Sequence, residues 1–274
     1  MTRIGIIGGG NIGEALLSGI IGDGTDPKSV IVADPTTARL EQLKETYGLV
    51  TTEDGQEAAD DADYLFICVK PDIVPTVLES VSDVVEKNDT DTVVVSVAAG
   101  VTIASMEALL PAGTPVVRVM PNTPMLVGKG ASAIAGGRFA KAEHVDAVQE
   151  LMSATGTVVK VKEKDIDAVT AVSGSGPAYF FMVTEAMIDA GVNLGLPRPL
   201  AQELAIATAE GAATMMANGQ AEGGDDPVVL RTKVSSPGGT TSAATRTLEE
   251  EGLRRAFYQA MEACKKRSIE LGEG

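Results

Sequence analysis

A β-branched run that breaks into three glycines and then turns helical limits this chain more than any other stretch. Arg3-Ile-Gly-Ile-Ile7 leads at once into Gly8-Gly-Gly10-Asn-Ile-Gly13, and Glu14-Ala-Leu-Leu-Ser-Gly-Ile-Ile21 continues with helical spacing. This is Gly-x-Gly-x-x-Gly in the context it requires, a strand, a tight turn and a helix. Gly8 permits the turn, Gly10 lets a pyrophosphate approach the backbone, and Gly13 lets the helix pack closely on the strand. The motif therefore implies a dinucleotide held at the turn formed by Gly8, Gly10 and Gly13.

A second strand, Val30-Ile-Val-Ala33, ends in Asp34, at about the separation expected for the residue that meets the adenosine ribose. A carboxylate there accepts from the ribose hydroxyls and repels a 2′-phosphate, which favours NAD(H). Arg39 is close enough in sequence to offset part of that repulsion, so NADP(H) stays open. Strand and helix patterns then alternate: helix Thr37 to Tyr47, strand Tyr64 to Cys68, helix Ile73 to Val85, strand Thr92 to Val97, helix Ile103 to Leu110 and strand Pro115 to Val119. Such alternation predicts an α/β fold, a Rossmann-like doubly wound parallel sheet with helices on both faces and ligands off the carboxyl ends of its strands. Val69-Lys70-Pro71, Ala98-Ala99-Gly100 and Met120 to Pro124 are the loops expected there. Ala131 to Ala135 and Thr157 to Val161 extend the sheet around a helix from Ala140 to Thr155. The only histidine, His144, is placed on a solvated face of that helix, so it supplies no catalytic proton carrier.

From Asp165 onward strand patterns stop. Ile166 to Val172 and Ala178 to Val192 read as one apolar helix broken or kinked at Ser173-Gly-Ser-Gly-Pro177, and Leu196-Pro-Arg-Pro-Leu200 opens another that runs to about Ala217. Both are apolar on more than one face and need partners on several sides, which a homodimer supplies. The expected organisation is a dinucleotide-binding domain over residues 1–163 and an all-α C-terminal dimerisation and substrate-binding domain over 164–274. Gly219 to Asp226 reads as a polar, acidic loop, and helices Thr240 to Glu251 and Leu253 to Gly272 close the chain.

Between that loop and the last helices lies Lys233-Val-Ser-Ser-Pro-Gly-Gly-Thr-Thr-Ser242. It describes a sharp turn that opens a helix with Thr240, Thr241 or Ser242 as N-cap. Converging backbone N–H groups and the positive end of the helix dipole can hold a small carboxylate there without an arginine.

Charge narrows the partners. The chain has 38 acidic and 22 basic residues among 274, a formal charge of -16, which repels nucleic-acid backbones and anionic membranes. The same excess suits a protein kept soluble in concentrated salt, so a halophilic setting is expected. Cys68 and Cys264 read as reduced core residues, and no metal site is expected. The N-terminus runs directly into a strand without a charged leader, and no apolar run is long enough to span a bilayer, so a cytoplasmic protein is expected.

A dinucleotide domain joined to a small-anion turn suggests hydride transfer to a carboxylate-bearing substrate. Ketone reduction normally requires a His, Lys or Tyr to protonate the alkoxide. With no usable histidine, and no lysine at the Ser173 to Pro177 junction, reduction of an imine is the less demanding chemistry.

Ile6 to Gly13, Val69-Lys-Pro71, Ser96 to Val101, Met120 to Pro124, Val172 to Tyr179 and Val234-Ser-Ser-Pro-Gly-Gly-Thr-Thr241 together resemble pyrroline-5-carboxylate reductase over essentially the whole chain. The resemblance implies NAD(P)H-dependent reduction of 1-pyrroline-5-carboxylate to L-proline, the last step of proline biosynthesis, by a homodimer that forms rings of dimers in some relatives. It further implies that Ser236, Gly239, Thr240 and Thr241 hold the substrate, with Thr241 as the proton-handling group. Glu163 would be a substrate contact and Lys233 a residue near the cofactor. Asn11, Ile12, Val69, Lys70, Pro71, Ala98 and Ala99 would border the dinucleotide along with the turn glycines, with Asn122 at its nicotinamide end. The family leans towards NADPH where Asp34 leans towards NADH.

Two rival readings share these features. A β-hydroxyacid dehydrogenase has the same two-part architecture but reads its substrate with a Lys and an Asn that Val172 to Tyr179 does not offer. A non-catalytic dinucleotide-sensing module would keep the fold, yet would have no use for a second anion turn.

Overall fold

The computed structural model describes every residue except Met1, Thr90, Glu222 and Gly274. The chain divides into two compact units, residues 1–175 together with 263–274, and residues 176–262.

The first unit is built on one eight-stranded sheet: β1 Ile4–Ile7, β2 Val30–Ala33, β3 Val50–Thr52, β4 Tyr64–Ile67, β5 Val93–Ser96, β6 Val116–Met120, β7 Gly130–Gly136 and β8 Gly156–Lys160. Their order is β3-β2-β1-β4-β5-β6-β7-β8. From β3 through β6 all neighbours are parallel, with Ile7 in register with Ala33 on one side and Ile67 on the other. The strand order runs outward from β1 to β3 on one side and then resumes with β4 on the other, so the crevice between the carboxyl ends of β1, β2 and β4 is a topological switch point.

Helices α1 Asn11–Gly22, α2 Thr37–Tyr47, α3 Gly55–Ala59, α4 Val74–Lys87, α5 Ile103–Glu107, α6 Ala142–Ser153 and α7 Ile166–Val169 complete this unit. Because side chains alternate along a strand, the short β-branched runs feed two separate cores. On one face Ile4, Ile6, Phe66, Val93, Val95 and Val117 pack with Leu16, Leu17 and Ile20 of α1, Leu43 of α2, and Val148 and Met152 of α6. On the other, Ile7, Leu65, Ile67, Val94 and Val116 pack with Ala58 and Ala59 of α3, Leu78 and Val81 of α4, Met106 of α5 and Ile166 of α7. The doubly wound sheet expected from the alternation is therefore present.

Several local expectations change. β7 pairs antiparallel with β6, Arg118 opposite Ala135, and β8 then runs parallel to β7, so the sheet is parallel-dominated rather than purely parallel. β3 and α3 occupy a stretch with no strand or helix expected. His144 does not lie on a solvated face: its side chain is 14% exposed and its Nδ1 accepts the Lys141 N–H at 3.3 Å, capping α6. The Ser173 to Pro177 break is a change of winding instead. α7 passes into a π-helical turn over Thr170–Gly174, and α8 Gly176–Asn193 begins directly after it.

The second unit holds α8, then α9 Arg198–Ala221, α10 Pro227–Lys233, α11 Thr240–Glu250 and the first half of α12 Leu253–Glu273. α9 continues into the stretch expected to be an acidic loop. α8 and α9 pack against each other through small residues such as Gly191 and Ala201, and among the described side chains of α9 only Ala201 and Ala205 are buried. Phe180, Phe181, Met182, Leu204, Ile206 and Met215 are exposed instead.

The expected division at residue 163/164 differs from the compact units at both ends. Residues 164–175 pack with the sheet, and so does the end of α12, where Ser268 is buried and donates to Asp167 Oδ1 at 2.7 Å.

Candidate active site

Each glycine of the first turn has a separate steric reason. Gly8 has φ +106°, and a Cβ there would stand 2.8 Å from the Cys68 carbonyl carbon. A Cβ on Gly13 would stand 2.1 Å from the Gly8 oxygen, whereas one on Gly10 would meet nothing within 4 Å. Gly10 is thus bare on the side that faces open space, at the N-cap of α1, whose N-terminus no side chain caps. Backbone N–H groups and open space at a helix N-terminus fit a pyrophosphate.

That space is the edge of a cleft of about 710 Å³ lined by Gly8, Gly10, Asp34, Glu53, Val69 and Lys70, among others. Five of the expected cofactor residues, Gly8, Gly10, Asp34, Val69 and Lys70, share it. Asn11 and Ile12 open α1, and Pro71 begins the 3-10 turn after Lys70. Sequence reasoning missed Glu53, Gly55, Ile73 and Ser80 on the same cleft. Glu53 and Gly55 follow the short strand β3, and Ile73 and Ser80 lie on the 3-10 turn and helix after Lys70, with no local signal of their own.

Asp34 already serves the protein. Its Oδ2 accepts the Gly9 N–H at 2.8 Å and its Oδ1 the Thr36 N–H at 2.9 Å, so the carboxylate clamps the glycine turn to the end of β2. Cys68, also on the cleft, has its thiol pushed up to about 12 by burial.

On the β5 side Ala98 is buried and Ala99 half-buried. Asn122 uses both ends of its amide: Nδ2 donates to the Ser173 carbonyl at 3.0 Å and Oδ1 accepts the Ala131 N–H at 2.8 Å. It ties the loop after β6 to the π-helical turn. Glu163 Oε1 accepts the Ile103 N–H at 2.6 Å and a proton of Arg118 Nη1 at 3.3 Å. Arg118, 3% exposed, is a residue the sequence reading passed over, although a lone arginine in Val-Val-Arg-Val was a visible signal.

In the second unit, α10 ends at Lys233, whose ammonium pairs with Asp225. The turn that follows closes through the Gly239 N–H on the Ser236 carbonyl at 3.0 Å and the Ser242 hydroxyl on the same carbonyl at 2.5 Å. Gly238 has φ +70°, and a Cβ on Gly239 would stand 2.4 Å from Ser236 Oγ. The N-cap of α11 is Gly239 rather than Thr240, Thr241 or Ser242, and no side chain caps it. Among the described residues the hydroxyls of Ser236, Thr240 and Thr241 make no hydrogen bond to a protein group. One turn thus gathers Ser236, Gly239, Thr240 and Thr241 at a helix N-terminus with donors to spare, the arrangement suited to a small carboxylate.

Among the described residues, no group of three or more His, Cys, Asp or Glu is placed to hold a metal ion.

Comparison with known proteins gives this geometry a family. Residues 163–271 match the family model for pyrroline-5-carboxylate reductase dimerisation, and residues 3–100 match that for NADP oxidoreductase, coenzyme F420-dependent. The pyrroline-5-carboxylate reductase of Corynebacterium melassecola is 54% identical over 273 residues, covering 100% of both chains. Among solved structures, a pyrroline-5-carboxylate reductase from Coxiella burnetii superposes with a TM-score of 0.92 at 36% identity, covering 98% of each chain. The Plasmodium falciparum pyrroline carboxylate reductase with NADP bound gives 0.85 at 29% identity, over 99% of this chain and 98% of that one. With 54% identity to such a relative along the whole of both chains, and the glycine turn and the Ser236 to Thr241 turn both in place, the chain belongs to the pyrroline-5-carboxylate reductase family.

Proposed function

We propose that the protein reduces 1-pyrroline-5-carboxylate to L-proline with NAD(P)H, the last step of proline biosynthesis. The observation that carries this reading is the Ser236 to Thr241 turn, an uncapped helix N-terminus with uncommitted hydroxyls in a chain alike over its full length to reductases of that name. The open space at Gly10 and the lining of the neighbouring cleft fit a dinucleotide, which Gly8, Gly10, Val69 and Lys70 would hold. When bound, that cofactor supplies the hydride.

The chain's own residues supply the rest. Backbone N–H groups of Thr240 and Thr241 hold the substrate carboxylate, aided by the α11 dipole. The Thr241 hydroxyl donates a hydrogen bond to the ring nitrogen, which makes the C=N carbon more electrophilic. The carbon gains hydride, the nitrogen gains a proton, and the product is a secondary amine. No strong acid is required, because an imine nitrogen can be protonated before hydride arrives. Glu163 and Asn122 serve this reaction as positioning groups, through Arg118 and Ile103 and through the π-helical turn.

Asp34 at the end of β2 favours NADH over NADPH, since a 2′-phosphate would meet a carboxylate. The exposed Phe180, Phe181, Met182 and Leu204 support a homodimer built on α8 and α9, and rings of dimers are a further level of that assembly. Among the described residues no helix is long and apolar enough to cross a membrane. A cytoplasmic, salt-tolerant enzyme accords with the charge of -16.

The deciding experiment follows reduced-cofactor oxidation with pyrroline-5-carboxylate, with NADH and NADPH in turn, at low and high salt. Turnover of a hydroxyacid and none of pyrroline-5-carboxylate would replace this reading by a hydroxyacid dehydrogenase. Light scattering on the same sample reports the dimer or its multiples, and a melting temperature that fails to rise with salt would count against salt adaptation.

A further inference from the structure

Arg39 projects from α2 into the glycine turn, where it could be the cation that a 2′-phosphate needs. Its guanidinium is committed elsewhere. Nε donates to the Gly9 carbonyl at 2.5 Å, Nη1 donates to Gln42 Oε1 at 3.0 Å, and Nη2 pairs with Glu14 Oε2. Glu14 is held in turn by the Tyr47 hydroxyl, which donates to its Oε1 at 3.2 Å. The ion pair is sheltered, with the Arg39 side chain 20% and the Glu14 side chain 24% exposed.

Gly9 links this cluster to Asp34. The Gly9 N–H goes to the Asp34 carboxylate and the Gly9 carbonyl takes the Arg39 Nε–H, so both charged groups are fastened to one residue of the turn. A ribose bearing a 2′-phosphate at the end of β2 would meet the Asp34 charge directly. The compensating guanidinium is neutralised through Nη2 by Glu14.

We propose that Glu14 is a positioning residue for cofactor choice, holding Arg39 away from the ribose so that the cleft discriminates against a 2′-phosphate. Loss of its carboxylate frees Nη2, and a bidentate guanidinium can then reach a phosphate oxygen. Glu14 is not among the residues that line the cleft. This inference rests on the reading of the cleft as a dinucleotide site.

The test compares kcat/KM for NADPH and NADH in the full-length parent and in Glu14→Gln. The NADPH:NADH ratio rises about tenfold, the order of one hydrogen bond to a charged group, while kcat/KM with NADH changes by less than about twofold. The double variant Glu14→Gln with Arg39→Ala loses the gain. Tyr47→Phe, which releases only one side of Glu14, moves the ratio the same way by about twofold and serves if Glu14→Gln does not fold. An unchanged ratio in these variants, or a gain that survives removal of Arg39, overturns the proposal. Failure of the parent to oxidise either cofactor overturns the dinucleotide reading beneath it, a different result from turnover with an unmoved ratio.

Discussion

Arg118 and Glu163 meet across 45 residues of chain, with Arg118 Nη1 3.3 Å from Glu163 Oε1. The same carboxylate oxygen takes the Ile103 N–H at the start of α5, and Arg118 Nη2 lies 4.0 Å from Asp167 Oδ1, which also accepts from Ser268 of α12. Four elements are thus tied to one buried guanidinium.

Removing that guanidinium leaves the Glu163 and Asp167 carboxylates without their shared cation. Arg118→Met is expected to lower stability by about 2–3 kcal/mol, short of the roughly 3–5 kcal/mol of a fully buried pair. The reduction follows because the Glu163 side chain keeps 34% exposure and solvent screens it. Urea unfolding of parent and variant measures this, and an unchanged midpoint would show that the cluster is dispensable.

The Ser236 to Thr241 turn separates chemistry from cofactor binding. Thr241→Ala is expected to cut imine reduction by about 10- to 1000-fold, the range for a lost transition-state hydrogen bond. Dinucleotide affinity, read by fluorescence titration, should stay within about twofold. An equal loss of both would remove Thr241 from the chemistry.

Two glycines of one motif should fail in different ways. Gly10→Ala keeps the fold within about 1 kcal/mol, since its Cβ enters open space at an N-cap position, yet it obstructs the pyrophosphate and raises the dinucleotide Kd. Gly13→Ala drives a Cβ into the Gly8 carbonyl and is expected to cost about 2 kcal/mol or more. Melting temperature and Kd measured side by side should show these opposite patterns.

Burial raises the Cys68 thiol from an ordinary 9 to about 12. The thiolate is the nucleophile, so native Cys68 should alkylate about a thousandfold more slowly than a free cysteine at pH 8. Because the folded value lies above the unfolded one, the neutral thiol's contribution to stability is complete below about pH 9. It is lost as pH climbs from there towards 12. Iodoacetamide labelling followed by mass spectrometry checks the rate, and fast labelling of Cys68 in folded protein would show that the group is not sheltered.

The nucleotide half was legible because its signals are local. Ile4 to Gly13 states a strand, a turn and a helix within ten residues, and steric limits at Gly8 and Gly13 act over the same span. Elements too short to show a period stayed hidden: Val50–Thr52 is three residues and Gly55–Ala59 five. Neither completes the window in which alternation can be told from helical spacing.

The turn from Ser236 to Thr241 shows the division within a single motif. Its Ser, Pro and Gly content announces a sharp turn before a helix, whatever surrounds it. Which residue caps α11 was settled by backbone angles, and Gly239 took the place that hydroxyl residues usually hold.

What the chain determined alone was every feature governed by neighbours in sequence: the two helix-opening turns, the alternation that winds a sheet on both faces, the helical C-terminal half, and the family. Only the folded structure decided that β7 runs against β6, that Arg118 finds Glu163, that Asn122 spends its amide on Ser173 and Ala131, and that Glu14 restrains Arg39. Strand direction and long-range polar pairing depend on which groups lose water together in the core. That selection is made by three-dimensional packing, where residues 25 to 60 positions apart compete for the same buried partners.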